Sequence, residues 1–213
     1  MKTEIIPVNG YFLRQHFHTD FVYGRGSVNP TQYAPLFFVR PNQFIIDAKF
    51  LDEIDYFLWL EKKLGNSTGK AYLEKRHEIN RKLAKGKRHR FEEFVLETEK
   101  RGGLTIAKID GPGVRQHIDC DAVWGWHDLV YDYFPNRTVG YEAKADLRDK
   151  KPTIIHEITE RKSMTSPRWL TYDQAHRQAI IAEIEVRRLD GASYPGDADF
   201  SLTAKEFFAG IRT

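Results

Sequence analysis

The stretch Thr153–Arg188, TIIHEITERKSMTSPRWLTYDQAHRQAIIAEIEVRR, organises the rest of the chain. It holds two helical patterns joined by a turn around Ser166-Pro167, and each carries histidine and carboxylate where an apolar face is expected. His156 and Glu160 are four residues apart, which places them on one helix face about a turn apart. Glu157 lies beside them, as the central acid does in the His-Glu-x-x-His zinc helix. In the second pattern His176 and Glu183 are seven apart, close to two turns, and also share a face. Ile154, Ile155 and Ile158 mark a core-facing side bordered by His156 and Glu157, while Ala175, Ala179 and Ala182 permit close approach around His176. Folded back on each other, the helices would gather two imidazoles and up to three carboxylates in a small volume. That set suits a divalent metal with one carboxylate left over as a base.

On this reading His156, Glu160 and His176 are the metal ligands and Glu157 is the general base. Glu183 is either a supporting carboxylate or a fourth ligand. Zinc is the expected ion, with iron or manganese as the alternatives for a two-histidine, one-carboxylate set. The plainer reading makes His156–Glu160, Glu160-Arg161 and Glu183–Arg187 ordinary pairs on a helix surface.

The pattern His-Glu-x-x-Glu-Arg-x-x-Met followed by Tyr-Asp-x-Ala-His-x-x-Ala-x-x-x-Glu rests here on His156, Glu157, Glu160, Arg161 and Met164, then Tyr172, Asp173, Ala175, His176, Ala179 and Glu183. It resembles small phage and prophage proteins in which an HExxE helix precedes a Y-x-x-A-H-x-x-A helix. The resemblance implies a zincin-like metal site and a phage or prophage character, but no particular substrate. Thr165-Ser166-Pro167-Arg168 stands where that family has a glycine-centred turn.

Outside this stretch, 213 residues are enough for one domain with a sizeable core, and 41% hydrophobic with 13% aromatic residues excludes wholesale disorder. No apolar run approaches the ~20 residues that span a bilayer. The start of the chain lacks the apolar core of a signal peptide, and a single cysteine, Cys120, excludes an internal disulfide. Together these predict a cytoplasmic protein, in the host cytoplasm or a virion if phage-encoded. Between Lys62 and Arg90 eleven basic residues face only Glu74 and Glu78, a local net charge of +9 in a chain of net +3. Such segregation invites a polyanion, and Lys85, Lys87, Arg88 and Arg90 are the candidate nucleic-acid contacts. His16, His18, His77 and His89 are assigned to the surface or to the same contact.

In chain order, Phe37–Val39 and Phe44–Ile46 read as strands around a turn, and Ala48–Leu64 as an amphipathic helix. Ala71–Lys85 and Phe91–Lys100 read as further helices, closed by Gly102-Gly103 as a helix stop. Leu104–Ile109 and Thr138–Ala143 read as strands, Pro152 as the first residue of the His156 helix, and Ser201–Gly210 as a short closing helix. No internal repeat is evident. The expected fold is α+β: a small mixed or antiparallel sheet, a basic helical arm over about 61–100, and a C-terminal helix pair. The expected division is into residues 1–103 and 104–213.

Two other functions fit parts of the sequence. Asp128, Glu142 and Lys144 have the D…E-x-K form of magnesium-dependent PD-(D/E)xK nucleases, in which two carboxylates hold a hard cation and a lysine stabilises charge on phosphate. A non-catalytic nucleic-acid-binding or virion assembly protein, with a phage or host protein as partner, would use the basic arm alone. The leading expectation is a metal-dependent hydrolase of peptidase or amidase type.

Overall fold

A computed structural model describes residues 3–16, 21–24, 42–64, 67, 69–84, 89–145 and 147–189. The fold is α+β. The described residues fall into two units that divide between Ile79 and Asn80.

The first unit runs β1 (Glu4–Val8), α1 (Gly10–His16), β2 (Tyr23–Gly24), β3 (Gln43–Asp47), a 3-10 segment Ala48–Glu53 and α2 (Ile54–Leu64). Its sheet has the order β1-β3-β2, with β1 parallel and β2 antiparallel to β3. Helix α3 (Gly69–Leu83) then crosses into the second unit. That unit holds a 3-10 turn at Phe91–Phe94, β4 (Val95–Arg101), β5 (Leu104–Ile109), α4 (Gly111–His117), β6 (Gly125–His127), β7 (Thr138–Glu142), α5 (Leu147–Ser163) and α6 (Tyr172–Leu189). Its sheet has the order β4-β5-β7-β6 and is mixed, since β5 and β7 are parallel and both outer pairs antiparallel.

Several expectations need correction. Phe91–Lys100 is not helical: after the 3-10 turn it is strand β4, paired with β5 from Val95 to Arg101. Gly102 and Gly103, at φ 57° and 79°, form the two-residue hairpin between them rather than a helix stop. The division at 103/104 would therefore cut a hairpin. Among its described residues, the basic arm is α-helical in α2 and α3 and not from Phe91 onward. Helix α5 begins at Leu147, so Pro152 lies inside it and not at its start. Phe37–Val39 and Ser201–Gly210 lie outside the described residues.

The two units also repeat one motif, contrary to the expectation of no repeat. Residues 8–24, VNGYFLRQHFHTDFVYG, align without a gap on 109–125, IDGPGVRQHIDCDAVWG, and Asp47-Ala48-Lys49 matches Glu142-Ala143-Lys144. In each unit a strand, a helix, an antiparallel strand and a returning parallel strand follow in that order. The shared residues make the same brace. Arg14 donates from Nη1 to Asp47 Oδ2 (2.7 Å) and to the Phe21 carbonyl (2.8 Å). Arg115 donates from Nη1 to Glu142 Oε2 (2.7 Å) and to the Ala122 carbonyl (2.8 Å). All four charged groups are buried, so each pair needs its partner. Glycine is required beneath both carboxylates: a Cβ on Gly10 would lie 2.0 Å from Asp47 Oδ2, and one on Gly111 would lie 1.6 Å from Glu142 Oε2.

The units differ at one step. The Asp47 N–H bonds to the Val22 carbonyl, whereas the Glu142 N–H bonds to Trp124, one residue beyond the aligned Val123. Trp124 takes up the extra residue in the left-handed region at φ 58°. As a result Gly125 occupies the strand position that Tyr23 holds in the first unit, opposite Tyr141 and Ile46 respectively.

The second unit has apolar packing on both faces of its sheet. Trp126 joins Phe91, Phe94, Ala107, Ile109, Val114, Ala122 and Phe134 in one cluster. Ile154 of α5 packs with Ile106, Val139 and Tyr141 in another. Cys120 is fully buried.

Candidate metal centre

Helices α5 and α6 run antiparallel, because their contacts pair in reverse order: Asp149 with Arg187, His156 with Glu183, and Ser163 with Gln178. Ala175 and Ala179 are fully buried between them, which gives the close approach that small residues allow. The face enclosed by this pair is polar, and its residues converge.

His156 Nε2 lies 3.2 Å from His176 Nδ1 and 3.6 Å from Glu160 Oε2, and His176 Nδ1 is 2.7 Å from that oxygen. Ligand atoms at ~2.0–2.1 Å from a tetrahedral zinc are about 3.3 Å apart, so these separations suit one small ion. His156 and Glu160 are buried, and the His176 side chain is 23% exposed, so the triad meets solvent on the α6 side. Tyr172, one turn earlier on α6, stacks on the His176 ring at 5.4 Å between centroids.

A chain of hydrogen bonds behind His156 fixes its proton. Arg187 donates from Nε and Nη2 to Glu183 Oε1 (3.0 and 2.7 Å) and from Nη1 to Asp149 Oδ1 (3.2 Å). Glu183 Oε2 then accepts from His156 Nδ1 at 2.9 Å. With its proton on Nδ1, a neutral His156 offers the Nε2 lone pair to the triad, the arrangement of a carboxylate-supported metal ligand. Glu183 sits behind the imidazole, away from the ligand atoms.

The electrostatics agree. Burial opposes a charge on Glu160, but hydrogen bonds from His127, His156 and His176 outweigh it and hold the carboxyl well below its usual range. Burial likewise opposes charging of His156, but Glu160 and Glu183 hold its pKa well above 6.5. For Glu183 burial is again outweighed, by the His156 hydrogen bond and the Arg187 charge. Asp149, Glu157, Glu160 and Glu183 are all buried here, and Arg187 together with protons on imidazoles or a divalent cation would offset their charge.

Sequence reasoning did not assign two participants. His127, on β6, is fully buried with Nε2 2.8 Å from Glu160 Oε1. The strand alternation could have found it: Gly125 and His127 face α5, whereas Trp126 points into the apolar cluster on the other side. Gly125 itself makes room for Glu157, whose Oε1 lies 2.4 Å from where a Cβ would sit. Ligand atoms of Glu157, Glu160 and His127 all lie within 4.8 Å of one another, so Glu157 borders the triad through Glu160.

The two acids of the D…E-x-K pattern do not meet. The Asp128 N–H bonds to Thr138 and the Glu142 N–H to Trp124, so the two acids sit at opposite ends of the β6–β7 hairpin. Asp128 is held by Arg161 and the Arg137 N–H, and Glu142 by Arg115 and the Gly111 N–H. Of the nucleic-acid candidates, Lys85, Lys87 and Arg88 lie outside the described residues, and Arg90 is exposed. Among the described residues no helix is long and apolar enough to cross a membrane. Comparison with protein-family models, with curated proteins and with solved structures gives no match.

Proposed function

We propose that this protein is a metal-dependent hydrolase of peptidase or amidase type, with His156, Glu160 and His176 as ligands of a divalent ion, zinc first. The observation that carries the reading is the convergence of three ligand atoms, separated by 2.7–3.6 Å, on one solvent-reaching edge of the helix pair. An ion held there would act as a Lewis acid and lower the pKa of water toward about 7. The chain's own residues supply the rest. Glu183 and Arg187 keep the His156 proton on Nδ1, and His127 holds the far oxygen of Glu160. Glu157, a turn before Arg161 and beside Glu160, would take a proton from water and return it to a leaving amine.

The basic segment 62–90 is proposed to contact nucleic acid. Helix α3 presents Lys70, Lys75, Arg81 and Lys82 to solvent, which favours that role over a purely structural one.

The test is metal content by elemental mass spectrometry on protein prepared without an affinity metal, and after zinc loading, with His156→Ala in parallel. The expected result is about one ion per chain, lost in the variant. Wild-type protein that holds no zinc, iron or manganese after loading would refute the proposal.

A further inference from the structure

Two triads share Glu160: His156, Glu160 and His176 on one side, and His127, Glu157 and Glu160 on the other. A carboxylate placed in this way is the usual bridge of a two-ion centre. We infer instead that His127 is a positioning residue, which holds Glu160 through an Nε2–H hydrogen bond, so that the site takes one ion per chain. The inference rests on the hydrolase reading for the ion itself, but its central observation does not.

That observation is the hydrogen bond that the Leu129 N–H makes to the His127 ring. The Leu129 N–H points at His127 Nδ1, 3.2 Å away, and so Nδ1 must present a lone pair. A neutral ring then carries its proton on Nε2, which lies 2.8 Å from Glu160 Oε1 and donates to it. For Nε2 to bind a metal, the proton would have to move to Nδ1 and face the Leu129 N–H, two donors opposed around a fully buried ring. The backbone there has little freedom to turn away, because the Val130 and Tyr131 N–H groups both bond to the His127 carbonyl at 3.2 Å.

The contrast with His156 is direct. His156 donates from Nδ1 to Glu183 and presents Nε2 to the triad, whereas His127 accepts at Nδ1 and donates from Nε2. Opposite tautomers give the two rings opposite roles. The His127 bond occupies Glu160 Oε1 and leaves Oε2 toward His156 and His176, which sets single-oxygen ligation. Glu157 is then not required as a ligand.

The test uses the full chain. Two-bond 1H–15N correlation spectra of the imidazole rings, metal-free and zinc-loaded, should show His127 in the Nε2–H form in both states. A proton on Nδ1 in either state would overturn the inference. Zinc titration should saturate at one ion per chain, and two ions, one of them lost in His127→Ala, would also overturn it. His127→Ala should lower zinc affinity by roughly 10–100-fold. His127→Gln, whose amide can donate to the same oxygen, should recover most of that loss, and affinity no better than that of His127→Ala would count against positioning. Failure of the protein to bind zinc at all defeats the hydrolase reading, and the metal-free spectrum still decides the tautomer.

Discussion

Glu183→Gln is the substitution for which the geometry makes the sharpest claim, because it changes one atom and no volume. Arg187 directs two donors, Nε and Nη2, at Glu183 Oε1, and that position demands an acceptor. A glutamine must therefore turn its carbonyl to Arg187 and its NH2 to His156. The NH2 is a donor, and it meets a ring nitrogen that now donates. His156 is forced to accept at Nδ1 and carry its proton on Nε2, aimed at the very ligands it should join. Loss of such a supporting carboxylate costs roughly 10–100-fold in metal affinity, or about 1.4–2.7 kcal/mol. The assay is competition for zinc against a chromophoric chelator, with circular dichroism to confirm the fold. The double variant Glu183→Gln/Arg187→Met releases the amide to flip, so it should bind zinc better than Glu183→Gln alone. Wild-type affinity within about twofold in Glu183→Gln would refute the tautomer argument.

Other outcomes follow from the same geometry. In metal-free protein the raised His156 pKa gives stability that is present below about pH 6.5 and lost as pH rises through the higher folded value. The depressed Glu160 and Glu183 values give stability present above about pH 4.3 and lost as pH falls. Thermal melts of chelator-treated protein should therefore peak in mildly acidic buffer, while zinc should stabilise more as pH rises, since the ion must displace a proton from His156. A metal-free melting curve that rises steadily with pH would contradict this. Gly125→Ala pushes a methyl into Glu157, which supplies the three atoms nearest to it. It should retain zinc and lose turnover by at least 10-fold. Equal loss of both in metal-content and peptide-hydrolysis assays would mean that Glu157 does not act separately.

The helix pair was legible because its signal is local. His156 and Glu160 are one turn apart, and helical periodicity alone puts them on one face. The same holds for β5 and β7, whose apolar runs needed no partner to be read. What escaped depends on distant residues. Val95–Arg101 carries Glu97, Glu99, Lys100 and Arg101, which fit an exposed helix as well as an edge strand, and only pairing with β5 decides between them. Glu183 was legible as a neighbour of His176, but its hold on His156 depends on Arg187 and the crossing of two helices. The repeat was hidden because its shared residues serve the brace. Arg14 and Arg115 each reach a carboxylate some thirty residues later, across connections of different length.

The left-handed residue Trp124 has a further effect. Side chains along a strand alternate between faces, so one additional backbone residue exchanges the faces for everything that follows. In the first unit Tyr23 turns toward α2 and packs tilted against Phe57, with 4.7 Å between ring centroids. Had the second unit kept that register, Trp124 and Trp126 would look toward α5 and His127 would be turned into the aromatic layer. The slip reverses this. It hides the indole of Trp126, opens a gap at Gly125, and delivers an imidazole to the carboxylates of the helix above. An aromatic seam in one unit and a polar face bearing histidine and carboxylates in the other thus differ by the length of a single peptide unit.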